Sequence, residues 1–230
     1  MPNLIGVGEV SRRILPIIYV IDISDLKNFE CISNLNQTMH AITSMFECYY
    51  GDYDYDIRIN VLSNAMEGKW MYNELQLANK FEWKELHTCN EADPTSLLEE
   101  LNKKLSRSEM LKSDVGFCVP YIVLISDRTH ASTVEWENTV ERVTNGNKWF
   151  KYSNKLAISI NDDTNIDFLL KFVKNIETIV PLQNACYVHS IMFKYFNLDT
   201  PKGFGEYLKE CSASESSQEP LEDEGWGDWE

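Results

Sequence analysis

Positive charge is scarce in this sequence: 21 Lys and Arg stand against 36 Asp and Glu among 230 residues, a formal net charge of -15. An acidic surface repels phosphate backbones and anionic headgroups, which excludes nucleic acid and membranes as expected partners and leaves basic proteins and metal cations open. The six cysteines (Cys31, Cys48, Cys89, Cys118, Cys186 and Cys211) include no CxxC pair. Scattered in this way, they read as buried reduced thiols. No apolar run approaches the roughly 20 residues needed to cross a bilayer, and no basic-then-apolar leader opens the sequence, so the cytoplasm is the expected location. A phosphate-cradling loop is also missing, because Gly6 and Gly8 precede the first strand instead of joining a strand to a helix. There is no internal repeat.

What the sequence does have is a set of apolar runs that stop abruptly at oxygen-bearing side chains. Leu15 to Ile21 reads as a buried strand and ends at Asp22-Ile23-Ser24-Asp25; Val119 to Ser126 repeats the pattern and ends on Asp127. Carboxyl ends of strands are where open parallel sheets bind ligands, so two strand ends each delivering a carboxylate point to one shared site. With 43% hydrophobic residues the chain holds enough apolar material for one sizeable domain.

Between these strands the periodicity turns helical. Ile32, Leu35, Met39, Ile42 and Phe46 form one apolar face, and Asp56 to Leu62 alternates as a strand. The aromatic-rich segment from Lys69 to Leu86 reads as two short strands, with Trp70, Tyr72, Phe81 and Trp83 as core residues. Asp93-Pro94 opens a helix carrying Leu97, Leu98, Leu101 and Leu105, with Asp93 as cap and Thr95 at its mouth. Ser132 and Glu135 read as a capping box for a helix to about Val143. Lys155 to Ile160 is a strand, Ile166, Leu169, Leu170 and Val173 an amphipathic helix, Thr178 to Leu182 a last strand, and Cys186 to Phe196 a last helix. Strands alternating with helices predict an α/β domain, doubly wound, with a mainly parallel sheet and helices on both faces, over residues 1–209. Residues 210–230 change character: seven acidic and no basic residues follow from Cys211, a composition that predicts a disordered acidic tail. Trp226 and Trp229 lie in it among acids, as in a linear motif that docks in an apolar groove ringed by basic residues.

Taken in order, these residues resemble the von Willebrand factor A (vWA) domains, and within them the small bacterial proteins of the TerY, tellurite-resistance type. In that family the first strand ends in Asp-x-Ser-x-Ser, a later Thr opens a helix, and a central strand ends in Thr-Asp-Gly. Together these residues form a metal-ion-dependent adhesion site (MIDAS). Asp22, Ser24, Thr95 and Asp127 match four of its positions. Ala131 to Trp136, Ala157 to Asp163 and Phe168 to Phe172 also resemble the TerY-like pattern. The departures are Leu26 in place of the second Ser, Arg128 in place of the Gly, and loss of the glycines before Thr95. Leu26 removes an oxygen ligand that a hard cation wants, and Arg128 puts a competing positive charge beside Asp127. The resemblance therefore implies a degenerate MIDAS that holds Mg²⁺ or Mn²⁺ weakly or not at all.

The function expected on this basis is a non-enzymatic interaction or adaptor module of a bacterial stress-response or signalling system. Its contacts are the strand-end face, with Asp25, Arg128 and His130, and the tail, with Trp226, Asp228, Trp229 and Glu230. A tail carboxylate, Asp228 or Glu230, entering a strand-end site is part of that expectation. The implied partners are proteins, including a kinase or phosphatase of the same system. The alternative is a metal-assisted hydrolase using Asp22 and Asp127, for which no general base stands out. A plainer reading has Asp22 and Asp127 capping strand ends while Ser24 and Thr95 bond locally. His40, His87, His130 and His189 show no catalytic pairing with a thiol; only His87 and Cys89 are close in sequence.

Overall fold

The computed structural model describes residues 12–23, 29–48, 54–65, 69–87, 93–130, 132–182 and 185–196. Two compact units divide the chain at Asp199 and Thr200. The second, with the expected boundary at 209/210 and all four tail contacts, lies outside the described residues.

Among the described residues six strands form one sheet: β1 (Arg13–Asp22), β2 (Tyr55–Ser63), β3 (Gln76–Leu77), β4 (Tyr121–Ser126), β5 (Asn154–Ser159) and β6 (Ile179–Pro181), in the spatial order β3-β2-β1-β4-β5-β6. All neighbours are parallel except the β2–β3 pair. The order reverses at β1, which sits between β2 and β4 and has nine of its ten residues buried, as a central strand covered on both faces must be. Among the described residues six α-helices connect and cover the strands: α1 (Phe29–Cys48), α2 (Pro94–Lys104), α3 (Val134–Gly146), α4 (Lys148–Tyr152), α5 (Ile166–Val173) and α6 (Ala185–Phe196). This is the expected doubly wound α/β architecture.

Alternation along β1 divides the core into two layers. Ile14, Ile18 and Val20 join the cluster formed by Leu97, Leu98 and Leu101 of α2, Trp136, Val140 and Val143 of α3, and Phe168, Leu169 and Phe172 of α5. On the other face Tyr19 reaches Met192 of α6 with its hydroxyl 3.8 Å from the sulfur, and Phe46 of α1 meets Phe193 of α6 at 6.4 Å between ring centroids. Each fully buried Leu, Ile or Phe contributes about 1.5–3 kcal/mol, so these two layers are the main source of stability.

Four sequence expectations need correction. The Lys69–Leu86 segment holds one two-residue strand, a single bridge from Trp70 to Leu62 and a 3₁₀ turn at Ala78–Lys80, instead of two strands. There Phe81 is buried, whereas Trp70, Tyr72 and Trp83 are only half-buried, because each spends its polar tip on an acceptor at the surface: Trp70 on Glu100, Tyr72 on the Glu82 carbonyl and Trp83 on Asn36. The cap of α3 is Thr133, which accepts from the Trp136 amide at 3.1 Å; Ser132 instead donates to Glu137. In α5 the buried face is Phe168, Leu169 and Phe172, and Ile166 is exposed, since the aromatic pair bulks out the layer against α3 and α4. Among the cysteines, Cys118 is a half-buried free thiol.

Candidate functional site

The parallel register sets the site. Asp22, the last residue of β1, pairs with Ser126, the last of β4, and the Asp127 amide lies 3.4 Å from the Asp22 carbonyl. Ile21 pairs with Ser63 at the end of β2, so Asn64 lies one residue beyond, on the other flank of Asp22. Asp22 and Asp127 are both fully buried, as is Ser126. The two carboxylate-bearing strand ends are therefore neighbours, as their parallel alignment requires.

A buried carboxylate must be paired and hydrogen-bonded to remain charged. Asp22 is both. Arg128 grips it with two bonds, Nε to Oδ2 at 3.0 Å and Nη2 to Oδ1 at 3.1 Å. Ser126 donates its hydroxyl to Oδ2 at 3.1 Å, and Asn64 donates its amide to Oδ1 at 3.1 Å. The fork geometry of guanidinium matches a carboxylate in a way that lysine does not.

Arg128 is itself held in place. Its backbone amide donates to Ser126 Oγ at 3.1 Å, and its carbonyl accepts from the Asn165 amide at 2.7 Å. Asn165 in turn caps α5 through the Phe168 amide. The guanidinium carbon lies 5.5 Å from the centroid of the Phe168 ring, which stacks on Trp136 at 4.6 Å. Trp136 closes the loop by donating Nε1–H to the Phe168 carbonyl at 3.2 Å. The arginine thus lies against an aromatic pair built by two helices, and its side chain is 16% exposed.

Thr95 is buried in the first turn of α2, where its amide donates to the capping Asp93 carboxylate at 2.9 Å. His130 is exposed at the rim, as are Thr129 and, at the first residues of α3 and α5, Val134 at 75% and Ile166 at 44%. Ser24 and Asp25 lie outside the described residues, as do Leu26 and Cys89. Sequence reasoning missed Asn64, Ser126 and Phe168. Asn64 and Ser126 carried a readable signal, since each is a polar residue at or just past the end of an apolar strand, as Asp22 and Asp127 are. Phe168 carried none, because its role depends on the distance between α5 and the β4 loop.

No protein-family model matches the sequence, and no curated protein matches it significantly. Solved structures do match the fold. Proximal thread matrix protein 1 from the mussel byssus aligns with a TM-score of 0.51 at 14% identity, covering 83% of this chain and 48% of its own. The manganese-loaded TRAP protein of Plasmodium vivax aligns at 0.52 and 11% identity, covering 81% and 74%. The pilus adhesin SpaC of Lactobacillus rhamnosus GG, in its open conformation, aligns at 0.51 and 8%, covering 88% and 30%. These neighbours are vWA-domain proteins. The chain has the vWA fold. It spans about half the length of the mussel protein chain it matches. A further structure of the mussel protein has a zinc-occupied MIDAS motif.

In this vWA-like domain the residues as arranged do not fit a divalent cation. Both oxygens of Asp22 are taken by a guanidinium, and a metal bound there would have to displace it against direct charge repulsion. Among the described residues, no group of three or more His, Cys, Asp or Glu is placed to hold a metal. No described helix is long and apolar enough to cross a membrane.

At the other end of the sheet, beside the start of β5, a cleft of about 380 Å³ is lined by Lys151, Lys155 and Lys174 together with Phe172 and Tyr195. Burial and the neighbouring Lys174 push the Lys155 amine down to about 8. Lys155 donates to the Phe150 carbonyl at 2.6 Å and lies over the Phe150 ring at 4.4 Å. Lys151 occupies the last turn of α4 and Lys174 caps the end of α5, where cations answer helix C-termini.

Proposed function

We propose that this chain is a non-enzymatic protein-binding module that meets its partner on the strand-end face, with Trp226, Asp228, Trp229 and Glu230 of the tail as a second contact. The observation that carries the reading is the rim of that face. Its buried carboxylate is satisfied internally by Arg128, Ser126 and Asn64, while Val134 projects at 75% exposure beside the exposed Thr129 and His130. A large aliphatic side chain held in water at the mouth of a rigid polar site suits recognition, where apolar contacts supply affinity and the scaffold supplies shape.

The finer features of the resemblance belong to the same proposal: a TerY-like subgroup, a cytoplasmic stress-response or signalling setting, and a kinase or phosphatase as partner. The motif order along the chain supports them. Hydrolysis through Asp22 and Asp127 is the weaker reading, since it needs Asp22 on a metal and not on a guanidinium.

Affinity capture from the source lysate, with chelator throughout, tests the proposal. Val134→Glu and His130→Glu change exposed positions and leave the core untouched, so loss of the captured protein with both is the expected result. Capture unchanged by both removes the strand-end face from the account, and capture unchanged in a chain ending at Glu210 removes the tail. Phosphatase or nuclease turnover that disappears in Asp127→Ala would replace the module with an enzyme.

A further inference from the structure

Two solved structures that share this fold carry a cation, one being manganese-loaded and one having a zinc-occupied MIDAS motif. We infer that here the cation is the Arg128 guanidinium: a side chain tethered to the site, making the strand-end face independent of metal and turning it into a latent metal site one substitution away from use.

The geometry gives three reasons. The first is occupancy. A metal on the first strand's carboxylate would bind at its oxygens, and Nε and Nη2 of Arg128 already lie 3.0 and 3.1 Å from Oδ2 and Oδ1. The second is the surroundings. Ser126 and Asn64 each donate a hydrogen to Asp22. With Arg128 they give the carboxylate four donors, a shell suited to a charge that is to stay where it is.

The third reason is support. A swinging surface arginine would not need a platform, yet this one lies over Phe168, which is stacked on Trp136, and its backbone is tied to the Ser126 hydroxyl and the Asn165 amide. The ion pair therefore joins the Ser126 hydroxyl and the Asp127 amide in fastening the β4 loop to β1, and through Phe168 and Asn165 it ties in α5. A metal would provide the same fastening in exchange for protein ligands; the guanidinium provides it at any metal concentration.

Removing the guanidinium uncovers both oxygens of Asp22 beside the Ser126 hydroxyl, 3.1 Å from Oδ2. Such oxygen donors are the kind a hard divalent cation takes. The inference rests on the vWA-like reading of this face, and metal titration reads it separately from capture of any partner.

The test uses the full chain and Mn²⁺ as probe. Binding is followed by the loss of the free Mn²⁺ electron paramagnetic resonance signal, and unfolding by circular dichroism, for wild type, Arg128→Ala, Arg128→Gln and Arg128→Ala/Asp22→Asn. Wild type should bind no Mn²⁺ saturably at millimolar concentration and should unfold at the same temperature with metal or chelator. At least one of the two Arg128 single variants should gain saturable binding and recover part of its lost melting temperature on adding Mn²⁺, and the double variant should do neither. Saturable binding by wild type that Asp22→Asn abolishes overturns the inference, because Arg128 would then yield to metal. Failure of both Arg128 single variants to respond to Mn²⁺, folded or not, also overturns it.

Discussion

Replacing Arg128 by Ala removes a side chain that makes two charge-assisted bonds to a buried carboxylate and lies over an aromatic ring. Asp22 keeps its bonds from Ser126 and Asn64 and loses two charge-assisted bonds, while remaining fully buried. Breaking a buried pair from one side typically costs about 3–5 kcal/mol, because the partner's desolvation is no longer offset. Loss of the contact with Phe168 at 5.5 Å adds roughly 0.5–1 kcal/mol. For a domain near 200 residues each kcal/mol lowers the melting temperature by about 2–4 °C, so a fall of roughly 7–24 °C is expected. Thermal unfolding followed by far-ultraviolet circular dichroism measures it and urea unfolding measures the free energy, with Asp22→Asn added to the same chain as the closing arm. The double variant should recover at least half of the loss, since no charge is then buried alone. A cost below about 1 kcal/mol for Arg128→Ala, or a double variant no better than the single, would refute the pairing and its energetic weight.

Three further outcomes follow from other parts of the molecule. Lys155 has its amine held at about 8 against an ordinary 10.5, by burial and by Lys174. Between those values the unfolded chain holds the proton that the folded one has released, so stability should rise from about pH 8 to 10.5. The burial cost is fully present below pH 8; Lys155→Met should flatten this slope and stabilise the domain at pH 7 by up to about 2 kcal/mol, read by urea midpoints across the range. Asn147 accepts from the Trp149 and Phe150 amides and donates to Asn102 and to the Leu105 carbonyl, tying α4 to the end of α2; Asn147→Ala should cost about 2–3 kcal/mol in the same assay. Tyr19 buries its hydroxyl against only the Met192 sulfur at 3.8 Å, a weak acceptor, so Tyr19→Phe should change stability by less than about 1 kcal/mol.

The strand ends were legible because the chemistry changes there within one residue, from a buried aliphatic run to a carboxylate. The periodicity of Ile32 to Phe46 was legible for a similar reason, since α1 lies on a sheet and needs one apolar face. The aromatic segment after Lys69 was not. Its side chains satisfy polar tips at the surface individually, and no period records that. The cap of α3 is Thr133 and not Ser132, because adjacent Ser and Thr both suit an N-cap and here the Ser132 hydroxyl is spent on Glu137. In α5 the expected face counted aliphatic residues, while the packing selected Phe168 and Phe172 for their reach.

At the site, Asp22 and Asp127 could be read as neighbours from the grammar of parallel strands. Arg128 could be read as an intruder beside Asp127. What the sequence did not contain was the direction of its side chain, across to a carboxylate 106 positions earlier. That direction changes the meaning of the site. An arginine pointing outward would only weaken a metal; pointing inward, it takes the metal's place.

The most direct measurement is an anomalous difference map from a crystal of the full chain grown in millimolar MnCl₂. The account predicts no manganese peak at Asp22, with the Arg128 guanidinium bonded to both carboxylate oxygens in density. A manganese peak on Asp22 with Arg128 turned away would contradict it.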